Sequence, residues 1–433
     1  MVSFVSTYLL TWKVYLSSWR ADWKAQQKAI AQLGSHFQNG IPLVSNLLWN
    51  VIMFTVLQVL VIRMAGFSAE MERFCWYAVL LPCLVGSVFY YCYKYGVKQV
   101  VTSLFSFTTF LQWTQNWLAM QGLALVCLTQ TAFFYFAGIV MQPYILPPAW
   151  NVSVQFPKDL YEEYLRDTVY CFAALFGVCL VTLPLSARGY AVAMEAAGRQ
   201  NVTISYTETL MELVYQTVQG DSLFFTVIPI LVILQDYFGF RVYTIHIIFA
   251  VVETALVNYV VRYKFGITHQ LMHEIQPLYA MAHMEHHVCK GVHPTTLAAG
   301  LWEFWVNGQS IFMTTQVGLA PIPYALLQFI YMGANVVVHT MWPHPSLLQW
   351  HTLHHTIAAD VYNVNIPSTY DKEHSQAVAK LQQKLQHVSP FIRYEPLSDL
   401  AAVAVMGLSC AILHVGLGIG LGHVDWTERM DWQ

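Results

Sequence analysis

The fold class predicted by this 433-residue sequence is all-α: a polytopic membrane helix bundle with a cytosolic, histidine-rich cap holding a di-metal site. Three observations predict it. The chain is 56% hydrophobic and only 10% charged, with a mean hydropathy of +0.46, against roughly 25% charged residues in soluble globular domains. Many windows are long and apolar enough to cross a bilayer, and the histidines are concentrated in one stretch. The composition excludes a water-soluble enzyme, and 15% aromatic content excludes disorder. A net charge of −3 gives no basic surface, so nucleic acid is not an expected partner.

Residues 1–38 set Trp12, Trp19 and Trp23 among Lys13, Arg20, Lys24 and Lys28, the pattern of an interfacial amphipathic helix. No basic segment followed by a compact apolar core opens the chain, so no cleavable signal peptide is expected. A spanning helix needs about 20 mostly apolar residues. The candidates are 41–62, 74–93, 118–140, 168–186, 222–235, 242–261, 302–319, 321–339 and 399–421. Window 222–235 is short, and 302–319 carries Glu303, Asn307 and Gln309. The Thr/Gln-rich segment 99–117 reads as interfacial.

Lys and Arg counting sets the orientation. With the N-terminus inside, fifteen of the 21 basic residues fall in inside segments and six outside. This puts 262–301 and 340–398 together on the cytosolic face, joined by a helical hairpin that dips into the bilayer. No repeat or linker divides the chain, but its character changes. Residues 1–220 form an amphipathic and transmembrane region, 221–398 hold nearly all the chemistry-capable side chains, and 399–433 are a membrane segment and tail. The eight cysteines lie mostly in apolar runs and read as buried free thiols.

Eleven of the 17 histidines fall within 269–355, where an even spread would put about three. They form His269-Gln-Leu-Met-His273, His283-Met-Glu-His286-His287 and His351-Thr-Leu-His354-His355. On a helix, positions i, i+3 and i+4 share one face, so each box presents two or three imidazoles in one direction. Imidazole suits iron, copper, zinc or nickel. Eight such ligands exceed one four-coordinate site, so two ions are expected. Glu274, Glu285 and Asp360 adjoin the boxes as candidate acceptors of imidazole N–H groups, although Glu285 falls roughly opposite His283 on a helix. Glu253 is an ionisable residue inside a window, either functional or paired with a neighbour such as Asn258. Asn151 and Asn201 open short glycosylation sequons.

The boxes HxxxH, HxxHH and HxxHH resemble those of the integral-membrane fatty acid hydroxylase and sterol desaturase superfamily. The short gap between the first two boxes and the roughly sixty-residue hairpin before the third fit that pattern, as does His287-Val-Cys-Lys-Gly-Val-His-Pro-Thr-Thr after the second. The resemblance covers about residues 225–370. It implies that His269, His273, His283, His286, His287, His351, His354 and His355 are metal ligands. It adds His339 at the end of the hairpin, with Asn335 one turn earlier, bound through water or capping a helix. His293 and His344 match no box. Two departures concern the substrate subgroup. Leu301-Trp302-Glu303-Phe304 replaces the usual His-Pro-x-Glu, and Tyr362 to Tyr370 replaces an aromatic Phe-Gly-Thr ending.

The resemblance implies a di-iron, O₂-dependent oxidoreductase that hydroxylates or desaturates a lipid drawn from the bilayer, such as a sterol or fatty acyl chain. Electrons would come from a reductase or b-type cytochrome, and the endoplasmic reticulum membrane is the family's usual place. The alternative is a polytopic divalent-metal transporter with a cytosolic His-rich site. That reading needs ionisable ligands at mid-membrane depth, where only Glu253 and His246 fall. An inactive lipid-binding relative would have lost box histidines, and all eight are present.

Overall fold

The computed structural model describes residues 2–145, 152–154, 205–238, 242–244, 266–288 and 302–307, with His354 and scattered helical positions between 158 and 184. Apart from a three-residue antiparallel ribbon, β1 (Val152–Val154) on β2 (Val242–Thr244), these residues are overwhelmingly helical.

Helix α1 (Val2–Trp19) and α2 (Trp23–Gly34) meet at a turn where Ala21 has a φ of +53°. The Asp22 side chain caps α2 by accepting from the Ala25 N–H at 3.1 Å. The N-terminal segment is therefore two helices, and the first does not depend on an interface for its polar face. Thr7, Thr11 and Tyr15, one turn apart, are fully buried against a later helix. Val5, Leu9 and Leu16 point outward instead. The Thr11 hydroxyl donates back to the Thr7 carbonyl at 2.7 Å, so it enters the bundle already satisfied.

Windows 41–62 and 74–93 become α3 (Leu43–Ala65) and α4 (Ala69–Tyr95), both long and apolar enough to cross a membrane. The 23 residues of α3 rise about 35 Å at 1.5 Å each. Gly66, at a φ of +63°, ends α3, and the Ser68 hydroxyl caps α4. Arg63 pairs with Glu72 across this turn at 2.9 Å. Helix α4 contains a π-turn at Trp76–Leu80 just before Pro82. Proline has no N–H and crowds the carbonyl four residues back, and the wider turn accommodates both. Val56, Leu60 and Met64 on α3, and Leu81, Val85 and Phe89 on α4, form exposed apolar stripes at i+4 spacing.

Segment 99–117 divides between α5 (Val97–Leu104) and the start of α6 (Phe107–Ile145), and window 118–140 lies inside α6. Window 222–235 is split at Thr226 between α7 (Tyr206–Phe225) and α8 (Val227–Phe238). Pro229 cannot donate to residue 225 and ends the continuous helix there. A polar clasp holds this corner to α3. The Gln58 amide donates to the Ser222 carbonyl and the Thr226 hydroxyl, and accepts from the Ser222 hydroxyl at 2.8 Å. Helices α9 (266–274), α10 (276–288) and α11 (Glu303–Asn307) pack on this frame. Windows 168–186, 242–261, 321–339 and 399–421 lie largely or wholly outside the described residues, as does 302–319 beyond Asn307.

Candidate metal centre

Helical spacing places His269 and His273 one turn apart on α9, and His283 and His287 one turn apart on α10. The two helices meet at Ile275, where the chain bends. Residues Tyr279–His283 of α10 form a second π-turn, in which the Met284 N–H reaches the Tyr279 carbonyl. π-Turns of this kind are frequent at functional sites. Here the turn ends on the first histidine of the second box. The Met281 carbonyl inside it accepts from the Asn50 side-chain amide at 2.6 Å, and Asn50 in turn accepts from the Trp113 indole at 3.2 Å.

His354, from the third box, joins these four. The donor atoms of His269, His273, His283, His287 and His354 all lie within 4.8 Å of one another. Their Nε2 atoms form a closed circuit of contacts. His269 to His283 is 2.9 Å, His283 to His287 is 2.8 Å, and His287 to His354 is 3.2 Å. His354 to His273 is 3.1 Å, and His273 to His269 is 3.3 Å. His269, His283 and His354 are almost completely buried.

This circuit fits a cation. The Nε2 of a neutral imidazole carries either a hydrogen or a lone pair. Around a ring of five the two states cannot alternate, so without an ion at least one contact sets like against like. An ion at the centre lets all five present lone pairs. Ligands at right angles on a metal with bonds of about 2.1 Å sit about 3.0 Å apart, and the observed contacts bracket that spacing.

The Nδ1 of His283 lies 2.8 Å from Glu303 Oε2 at the start of α11, both side chains being buried. A carboxylate there takes the Nδ1 hydrogen and leaves the Nε2 lone pair facing the centre. Burial first, then the neighbouring His269 and His287 rings, pushes His273 far below its ordinary range, so that ring stays neutral and able to ligate.

Several side chains from before residue 220 surround this centre. Tyr15 on α1 and Thr268, beside His269, share a hydroxyl contact of 2.5 Å, with Cys127 Sγ 3.4 Å from Tyr15. Gln26 donates to Gln270 at 3.1 Å. Gln270 and Gln27 donate to Glu274 at 2.7 and 3.3 Å. The Glu285 carboxyl accepts from the hydroxyls of Tyr91 and Tyr215, and burial raises it to about 7. Asn50 and Tyr91 lie at the ends of α3 and α4 away from the Gly66–Ser68 turn. The cluster therefore sits at that end of the helical hairpin.

Five expected ligands thus converge. The His286 side chain, His339, His351, His355, Asn335 and Asp360 lie outside the described residues. Sequence reasoning noted Glu303 but gave it no role at the centre, although an acid at the head of an apolar window is the signal that marks it. It also passed over Asn50, a polar residue within the first spanning window. No protein family, curated protein or solved structure matches the chain.

Proposed function

We propose that this chain is a multi-pass membrane oxidoreductase: a di-iron, O₂-dependent hydroxylase or desaturase of a sterol, fatty acyl or related lipid. Electrons come from a reductase or b-type cytochrome. The observation that carries the reading is the closed circuit of five imidazole Nε2 atoms, drawn from all three histidine boxes. His269, His273, His283, His287 and His354 hold one ion, and His286, His339, His351 and His355 complete the second position. Bound iron with O₂ supplies the power to break an unactivated C–H bond, which no side-chain acid or base can do.

The chain's own residues hold and shield that chemistry. Glu303 fixes the His283 tautomer. Asn50 holds the π-turn that ends on His283 and leads to His287. Tyr15, Thr268 and Cys127 close the side facing α1 and α6. The outward apolar stripes of α3 and α4 suit lipid contact and a substrate arriving through the bilayer. The excess of basic residues on the N-terminal side favours a cytosolic position for the cluster, and the endoplasmic reticulum is the compartment proposed.

The test is metal content of the purified, detergent-solubilised chain beside His283→Ala, with O₂ uptake measured in the presence of reductant and extracted lipid. Iron that is lost in the variant, with lipid-stimulated O₂ uptake by the wild type, is the expected result. Zinc alone, with no O₂ uptake after reconstitution with iron, overturns the reading.

A further inference from the structure

Four indoles run in series to the centre. Ring centroids are 6.5 Å apart from Trp49 to Trp113, 6.2 Å from Trp113 to Trp117 and 5.8 Å from Trp117 to Trp302. Trp302 is bonded through the chain to Glu303, whose carboxyl meets the His283 ring at 2.8 Å. Trp113 is held by its hydrogen bond to Asn50, but packing alone gives no reason for the other three to be tryptophans. Among the described residues the buried indole N–H groups of Trp49, Trp117 and Trp302 have no acceptor. A phenylalanine would fill much of the same space without burying an unpaired donor.

We infer that this series is a route by which unspent oxidising equivalents leave the metal centre, an inference that rests on the oxygenase reading above. Only a strong oxidant takes an electron from an indole. The centre becomes one when it has reacted with O₂ and no lipid is bound. One electron then passes from Trp302 to the metal centre, which is reduced by one. Electrons from Trp117, Trp113 and Trp49 refill each vacancy in turn. The hole ends on Trp49, which is half-buried near the start of α3. A phenol-class reductant dissolved in the bilayer supplies the last electron, releasing its proton as it becomes a phenoxyl radical. The orphaned N–H groups matter here. With no base to accept the proton, each oxidised indole remains a radical cation, and the hole moves without proton transfer. Trp113 donates to the Asn50 amide oxygen, which is not a base either.

The experiment exposes the iron-loaded, lipid-free full chain to O₂ with limiting reductant, and maps oxidised tryptophan by peptide mass spectrometry. Iron stoichiometry and thermal unfolding are measured on the same samples. The wild type should carry iron-dependent oxidation at Trp49. Trp117→Phe should lose it and accumulate product at Trp302, whereas Trp113→Phe should lose it and accumulate product at Trp117. Oxidation of Trp49 that persists in both variants overturns the route while leaving the oxygenase reading intact. So does oxidation that follows exposure, at Trp19 and Trp76, the two most exposed indoles outside the series among the described residues. A wild-type chain that binds no iron overturns both.

Discussion

Glu303 and His283 are twenty positions apart in sequence and 2.8 Å apart in space, each shielded from solvent. The carboxyl orients a ring that has two neighbours in the circuit, His269 and His287. Removing such a partner lowers metal affinity by about 10–100-fold in comparable sites. Glu303→Ala should show a loss of that order in chelator-competition titrations. Glu303→Gln, which keeps an acceptor oxygen, should lose less.

Asn50→Leu leaves the Met281 carbonyl and the Trp113 indole unpaired inside the protein. Buried groups stripped of a partner cost roughly 1–3 kcal/mol, and polar contacts between membrane helices fall at the low end of that range. The variant should unfold at lower temperature in detergent. It should also bind metal more weakly than an equally destabilised variant remote from α10, because the π-turn that ends on His283 loses its tether.

Gly122 lets α1 approach α6 closely. A Cβ at that position would lie 2.5 Å from the Phe4 carbonyl and would also strike the Thr7 hydroxyl. Gly122→Ala should therefore cost about 1–3 kcal/mol as an overpacked contact. Limited proteolysis should find residues 2–19 cut sooner than in the wild type.

Metal should stabilise the fold in proportion to its saturation, because a five-histidine site exists only in the native state. Free metal at about 100 times its dissociation constant adds roughly 2.7 kcal/mol. Chelation should lower the unfolding temperature of the wild type and leave that of His269→Ala almost unchanged. Equal shifts in both would count against a single shared site.

The spacing of the boxes made the local part of this centre legible. Histidines four apart on a helix must share a face, and His269 with His273 and His283 with His287 do. Windows 41–62 and 74–93 were legible for the same reason, since hydropathy reports where a helix buries or exposes apolar surface. Long-range partners leave no such trace. Nothing in the order of residues says that Asn50 will meet Met281, or that Tyr15 will meet Thr268. The amphipathic look of residues 1–38 was misleading in detail because tryptophan and lysine suit an interface, while the hydroxyls of Thr7, Thr11 and Tyr15 were awaiting a neighbouring helix. Hydropathy also runs windows 74–93 and 222–235 straight through Pro82 and Pro229, where the structure has a π-turn within one helix and a break between two.

The contact between Tyr15 and Thr268 joins residues 253 positions apart. At the usual pace of synthesis, about 5–20 residues per second, Tyr15 waits on the order of 10–50 s for its partner. Gln26, Gln27 and Asn50 wait about as long for Gln270, Glu274 and Met281. Until then these contacts are unmade in the half-finished protein, and His354 is still to come. The centre is thus a late product of biogenesis, and a nascent chain stalled before residue 266 holds the walls of the site with nothing yet inside them.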